Sequence, residues 1–306
     1  KMKIKSRKNE KIKIEVFIKK DKKEKKVRFG PSGNDDSFYE QGLKDSCDAP
    51  AWLAHQGLTA YEYSFGRGYR MSSQTAEKLG KNAKENGILL SIHAPYYINF
   101  ANPDDEMAEK SYQYILTGLK LLRAMGGKHL VFHAGTETKQ ERNVAVGLIS
   151  KRFDILIKKI YEAGYQDMFI CPETMGKQAQ IGTWKEIIDF CTKDKILVPT
   201  FDFGHVYALN QGTFGNYEDY VEVFNYAIEK LGYDRVKNCH IHFSRIMYGN
   251  KGEIKHLNYT DDGFGPEFAP CAKAIKDLKL TPTVICESAG HMSQDSLIYQ
   301  NIYNNI

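Results

Sequence analysis

The feature that most constrains this chain is a repeated pattern. Short apolar, β-branched or aromatic runs alternate with longer amphipathic stretches, and a His, Asp or Glu stands at the end of most of the short runs. Strands are predicted over 27–33, 58–65, 88–96, 129–135, 168–174, 197–205, 237–243 and 283–288. Between them, 104–125, 144–163 and 217–231 place apolar residues at helical spacing, with Gly126 and Gly232 where helices are commonly closed. Strand and helix in regular alternation predict a parallel sheet, and eight such units predict a (β/α)8 barrel. An open doubly wound sheet is the alternative, but neither GxGxxG nor GxxxxGK[ST] occurs in the sequence.

Composition narrows the class. The 306 residues are 42% hydrophobic and 26% charged, as in a globular protein rather than a disordered or collagen-like chain. No apolar run approaches the roughly 20 residues that span a bilayer. The six cysteines are scattered without a CxxC pair, so they read as reduced, buried thiols and a cytoplasmic location is expected. Charge is uneven. Residues 1–26 hold 13 Lys and Arg against 4 Asp and Glu, leaving 30 against 34 in the other 280. The expected organisation is a basic N-terminal arm over 1–26 and one barrel domain over 27–306. The arm is either a solubilising extension or an electrostatic contact for a polyanion.

The strand ends carry the chemistry. His93 ends SIHAP, His133 ends VFHAG and Glu173 ends CPET; Asp202 and His205 end TFDFGH, His240 and His242 end CHIHF, and Glu287 ends ICES. In a barrel these ends converge on one face, where active sites of this architecture lie. A lone strand-end His is more often a satisfied polar residue than a ligand. Imidazoles and carboxylates recurring at equivalent positions are better explained by metal coordination, which compensates buried charge. His55, His129 and His291 fall outside the pattern. His240 and His242 share a strand face, so one of the two is expected to support the other. A mixed imidazole and carboxylate set without thiolate suits catalytic Zn2+, with Mn2+ as the alternative.

The segments SIHAPYYIN, VFHAG, CPETM, FDFGHVYA, CHIHFS and ICES, in that order, resemble endonuclease IV. This is the metal-dependent apurinic/apyrimidinic endonuclease family of the xylose-isomerase-like barrels. The resemblance implies that His93 and His133 hold one ion with Glu173, which bridges to a second ion completed by Asp202, His240 and Glu287. It places His205 and His256 at a third ion, Tyr96 and Tyr97 where side chains enter the minor groove, and Arg67 and Arg70 in a DNA-penetrating loop. It implies two or three Zn2+ ions per chain, with Glu173 catalytic.

The implied function is hydrolysis of the phosphodiester 5′ to an abasic site in duplex DNA by a monomer, leaving a 3′-hydroxyl and a 5′ deoxyribose phosphate. Two rivals are a one-ion sugar isomerase or epimerase using Glu173, Asp202, His240 and Glu287, and a catalytically impaired DNA-binding relative. One departure bears on the third ion: Ile254 stands where the family has an Asp two residues before the last His. Glu253 is the nearest replacement and Asp261 and Asp262 are more distant ones. In a regular extended strand position 253 points away from the side that 254 faces, whereas a turn around Gly252 would bring Glu253 inward.

Overall fold

A computed structural model describes residues 26–306, and the basic arm apart from Lys26 lies outside the described residues. Eight short strands form in the predicted segments: β1 (Arg28–Pro31), β2 (Ala60–Ser64), β3 (Leu89–His93), β4 (His129–Phe132), β5 (Phe169–Pro172), β6 (Thr200–Asp202), β7 (His240–Phe243) and β8 (Thr283–Cys286). They pair in parallel as two arcs, β2-β3-β4-β5 and β1-β8-β7-β6. Single bridges, Ser32 to Glu62 and Glu173 to Thr200, join the arcs, so the sheet closes in sequence order as a (β/α)8 barrel.

Strand periodicity divides the side chains between two environments. On β4, Leu130 and Phe132 join the large apolar core between strands and helices, whereas Val131 packs inside the barrel with Cys171 and Val198. Positions of the same parity as Val131 therefore look into the barrel and, at the strand ends, into its mouth. Closure is tight at β1. A Cβ on Gly30 would lie 1.8 Å from the Ala60 carbonyl oxygen, so only glycine lets β1 approach β2.

The helices follow from their caps and stripes. In Asp105–Ala124 the Asp104 side chain accepts from the Glu106 N–H, acidic residues occupy the first turn, and Arg123 lies in the last. Its buried Ile115, Leu119 and Leu122 recur every three to four residues, each stabilising the fold by roughly 1.5–3 kcal/mol on burial. The helices Arg142–Glu162 and Tyr217–Leu231 match their predicted spans within two residues. Each strand is shorter than its predicted segment, β6 most of all. β6 ends at Asp202, whose carboxylate accepts from the His205 N–H and caps the helix Phe203–Leu209. His205 is therefore helical.

Beyond β7 the chain forms an antiparallel hairpin, Arg245–Gly249 with Gly252–Leu257. It folds back onto the loop after β5, where the Glu253 N–H donates to the Gly176 carbonyl at 2.8 Å. All six cysteines are buried free thiols. Among the described residues, no helix is long and apolar enough to cross a membrane.

Candidate metal centre

The barrel mouth opens into a cavity of about 570 Å³ lined by His93, His133, His205, Glu253, His256 and Glu287, among others. Three groups of ligand-type atoms meet here, each within 4.8 Å of one another: His93, His133 and Glu173; Glu173, Asp202, His242 and Glu287; and His205, Glu253 and His256.

Glu173, fully buried at the end of β5, stands between the first two. Its Oε2 lies 3.0 Å from His93 Nε2 and 3.1 Å from His133 Nε2, while its Oε1 lies 3.0 Å from His242 Nδ1. Glu287 Oε2 approaches the same His242 nitrogen at 3.3 Å. Backbone acceptors fix the ring orientations. His93 Nδ1 lies 2.8 Å from the Ala94 carbonyl, and His205 Nδ1 lies 3.0 Å from the Thr174 carbonyl, which leaves Nε2 of each facing the site.

The electrostatics are those of a site built for cations. Burial raises Asp202 above the ordinary carboxylate range; His205 opposes that shift, and the charges of Glu173 and Glu287 reinforce it. Its Oδ2 is buried without a hydrogen-bond partner. Burial works against charge on His93, yet the hydrogen bond and charge of Glu173 push it up to about 9. Burial likewise opposes charge on His205, and Asp202, Glu173 and Glu253 carry it to about 9. Burial would raise Glu287, but His242 draws it down to about 2. Crowded carboxylates, a buried oxygen with no partner and imidazoles aimed inward together fit divalent cations of the zinc or manganese type.

Two sequence expectations need correction or refinement. The resemblance places His240 with Asp202 and Glu287, but the structure puts His242 there. The two residues share the inward parity of β7, and His240 sits one layer deeper, where its Nε2 lies 2.8 Å from Glu62 Oε2. Glu62 went unnoticed in the sequence. Its signal is a lone carboxylate at an inward position of the strand AYEYS.

At the third group the expected obstacle is removed by the backbone. The hairpin register pairs Tyr248 with Glu253 and Met247 with Lys255, so Ile254 is an extra, bulged residue. A bulge shifts strand parity by one, which turns Glu253 to the His256 side and leaves Ile254 58% exposed. Glu253 Oε2 then lies 3.5 Å from His205 Nε2, and Oε1 lies 3.9 Å from His256 Nε2. Ser244 Oγ holds His256 Nδ1 at 2.8 Å. Gly252 permits the approach: its φ is +97°, and a Cβ there would lie only 2.1 Å from the Gly176 carbonyl oxygen. Asp261 and Asp262 do not join this group; Asp261 accepts from the Asn258 N–H instead.

The candidate DNA-contacting residues stand at the rim. Tyr96 and Tyr97 are exposed, and the Tyr96 ring lies over Gly66 within 6.4 Å of His93 and 6.2 Å of His133. Arg67 and Arg70 line a groove of about 550 Å³ that shares Ser64 with the metal cavity. Exposed Lys177, Lys251 and Lys255 lie near the hairpin, whereas Arg245 is paired with Glu267 at 2.5 Å.

Comparison with known proteins agrees with this architecture. The family model for xylose isomerase-like TIM barrels matches residues 50–301. An uncharacterized protein of Methanocaldococcus jannaschii is 33% identical over 86% of this chain and 93% of its own length. The probable endonuclease 4 of Mycoplasma genitalium is 31% identical over 76% of this chain and 78% of its own. Among solved structures, endonuclease IV from Thermus thermophilus superposes with a TM-score of 0.65 at 17% identity, covering 91% of this chain and all of that one. D-Psicose 3-epimerase from Clostridium cellulolyticum gives 0.62 at 15% identity, covering 91% and 92%, so the barrel is shared across different chemistries. On the family match and the identity to curated relatives, the chain belongs to the endonuclease IV family of xylose isomerase-like TIM barrels.

Proposed function

We propose that this chain is a metal-dependent endonuclease that hydrolyses the phosphodiester 5′ to abasic sites in duplex DNA, acting as a monomer. The observation that carries the reading is the placement of Glu173, whose two oxygens face two different histidine groups. His93, His133 and Glu173 would hold one ion; Glu173, Asp202, His242 and Glu287 a second; His205, Glu253 and His256 a third. Divalent ions in such groups supply a water nucleophile at neutral pH and positive charge opposite the phosphoryl oxygens.

The remaining work falls to the protein's own side chains. Tyr96 and Tyr97, exposed at the rim, would enter the minor groove and fill the gap left by a missing base. Arg67 and Arg70 would grip phosphates along the adjoining groove and fix the strand's register over Glu173. Selectivity then follows from the low cost of displacing a nucleotide that has no base to unpair or unstack. A one-ion ketose epimerase would use the Glu173, Asp202, His242 and Glu287 group alone, and it has no need of His93 and His133.

The deciding assay is nicking of a duplex with a single abasic site, with and without chelator, beside an undamaged duplex. Cleavage only of the damaged strand, abolished by chelator and restored by Zn2+, is expected. Epimerisation of a ketose by a protein that leaves the abasic duplex intact would transfer the site to the sugar reading.

A further inference from the structure

One layer beneath the metal centre, the barrel holds a second polar cluster that the proposed chemistry does not use. Glu62, fully buried on β2, accepts the Ser91 hydroxyl at 2.7 Å on Oε2. His240 Nε2 lies 2.8 Å from the same oxygen, and the His240 ring stacks on His129 at 5.7 Å. The other oxygen, Oε1, lies 2.9 Å from His242 Nε2. This contact has ion-pair distance rather than aligned hydrogen-bond geometry, and neither atom has another hydrogen-bonding partner.

We infer that Glu62, braced by Ser91 and His240, is a positioning residue that holds the His242 ring with Nδ1 directed at Glu173, Asp202 and Glu287. An imidazole nitrogen facing a carboxylate keeps its proton there, so the opposite nitrogen presents a lone pair. In the ion-free structure Nδ1 also lies 3.0 Å from Glu173 Oε1 in hydrogen-bond geometry; a cation bound at Nδ1 would displace the proton there, and Nε2 would keep its own against Glu62 Oε1.

The support differs in kind from that given to the neighbouring rings. His93 is held by a backbone carbonyl, His205 by a backbone carbonyl with Asp202 Oδ2 3.3 Å from the same nitrogen, and His256 by a serine hydroxyl, whereas His242 Nε2 faces the Glu62 carboxylate at 2.9 Å. A carboxylate behind an imidazole fixes the tautomer and makes the ring a better donor to a cation. Ser91 and His240 occupy Oε2 and so fix the plane of the carboxylate, which aims Oε1 at His242. The inference requires a cation at the His242 group but does not depend on DNA being the substrate.

The test titrates the chelator-stripped full chain with Zn2+ against a chromophoric competitor, in the absence of DNA. Wild type is compared with Glu62→Ala, Glu62→Gln and His240→Gln. In Glu62→Ala one bound ion should weaken by about 10- to 100-fold while the others keep their affinity. Glu62→Gln retains an acceptor of the same shape and should recover part of the loss. If Glu62→Ala does not fold, the cobalt-loaded Gln variant carries the test: its visible bands should shift from wild type at one site only. Unchanged affinities and spectra, or a uniform weakening of every ion, would overturn the inference. So would an ion in the wild type beyond the three mouth groups that disappears in both the Glu62 and His240 variants. In that case Glu62, His240 and His242 are themselves the cation site.

Discussion

His93, His133, Glu173 and Glu287 reach the cavity as direct continuations of barrel strands, while Glu253 and His256 reach it from a hairpin outside the barrel wall. The first set inherits its aim from strand parity: once β3, β4, β5 and β8 are in register, the next inward residue of each faces the mouth. The hairpin has no such constraint. Its two ligands converge because Ile254 is bulged out and Gly252 sits against Gly176. Ligands on the barrel are thus fixed by the closed sheet, and ligands on the hairpin by two local backbone features that single substitutions can remove.

The largest loss is expected at the residue shared by the first two groups. Glu173→Gln should leave the barrel folded, since the amide has the same shape, yet remove the negative charge that faces both histidine groups. Nicking of the abasic duplex should fall roughly 10³-fold or more. Far-UV circular dichroism should be unchanged. Near-normal turnover in a folded variant would sink the two-ion centre.

A smaller and more local loss is expected at the hairpin. Glu253→Ala should release one ion and reduce turnover by about 10- to 100-fold, because a site of two imidazoles is short of a ligand. Ile254→Ala, one residue away but exposed, should change stability by no more than about 0.5 kcal/mol and leave the ion count intact. Gly252→Ala adds a Cβ to a residue at φ +97° and forces the hairpin off Gly176. It should mimic the Glu253 loss, at a cost of roughly 1–3 kcal/mol in stability. A wild type that already holds only two ions, unchanged in Glu253→Ala, would mean that the third group does not hold one.

These contrasts also explain what the sequence could reveal. The eight strands and the inward position of His93, His133, Glu173, Asp202 and Glu287 follow from a period of two and from where each apolar run stops. Parity cannot rank residues that share a face, so His240 and His242 were indistinguishable until the depth of each layer was known. Glu62 was legible only as a charge inside an apolar strand, with its partners 29, 178 and 180 residues away. The recruitment of Glu253 was the least legible. A bulge inverts parity, and nothing in NKGEIKHLNY marks which residue is extra. Gly252 is the one trace of it, since a glycine inside a strand often signals a close backbone approach.

The smallest expected effect is a pH dependence that distinguishes His93, which faces barrel carboxylates, from His205, which also faces Glu253 of the hairpin. In the ion-free protein burial opposes charge on His93 and His205, but the carboxylates they face push both up from an ordinary 6.5 to about 9. A folded-state pKa raised in this way contributes stability that is fully present below about pH 6.5 and is lost as pH rises through about 9. The chelated protein should therefore melt at progressively lower temperature between pH 7 and 9.5. The Zn2+-loaded protein should stay nearly flat, because bound cations replace those protons. Zn2+ binding at pH 7 should release protons, which calorimetry in two buffers of different ionisation enthalpy can count. Glu253→Ala should affect the two histidines differently. His205 loses one of the charges that raise it, whereas His93 depends on Glu173 and keeps its shift, so the pH-dependent fall should shrink without vanishing. A chelated wild type that gains stability as pH rises across this window would show that neither histidine is held charged by its carboxylates.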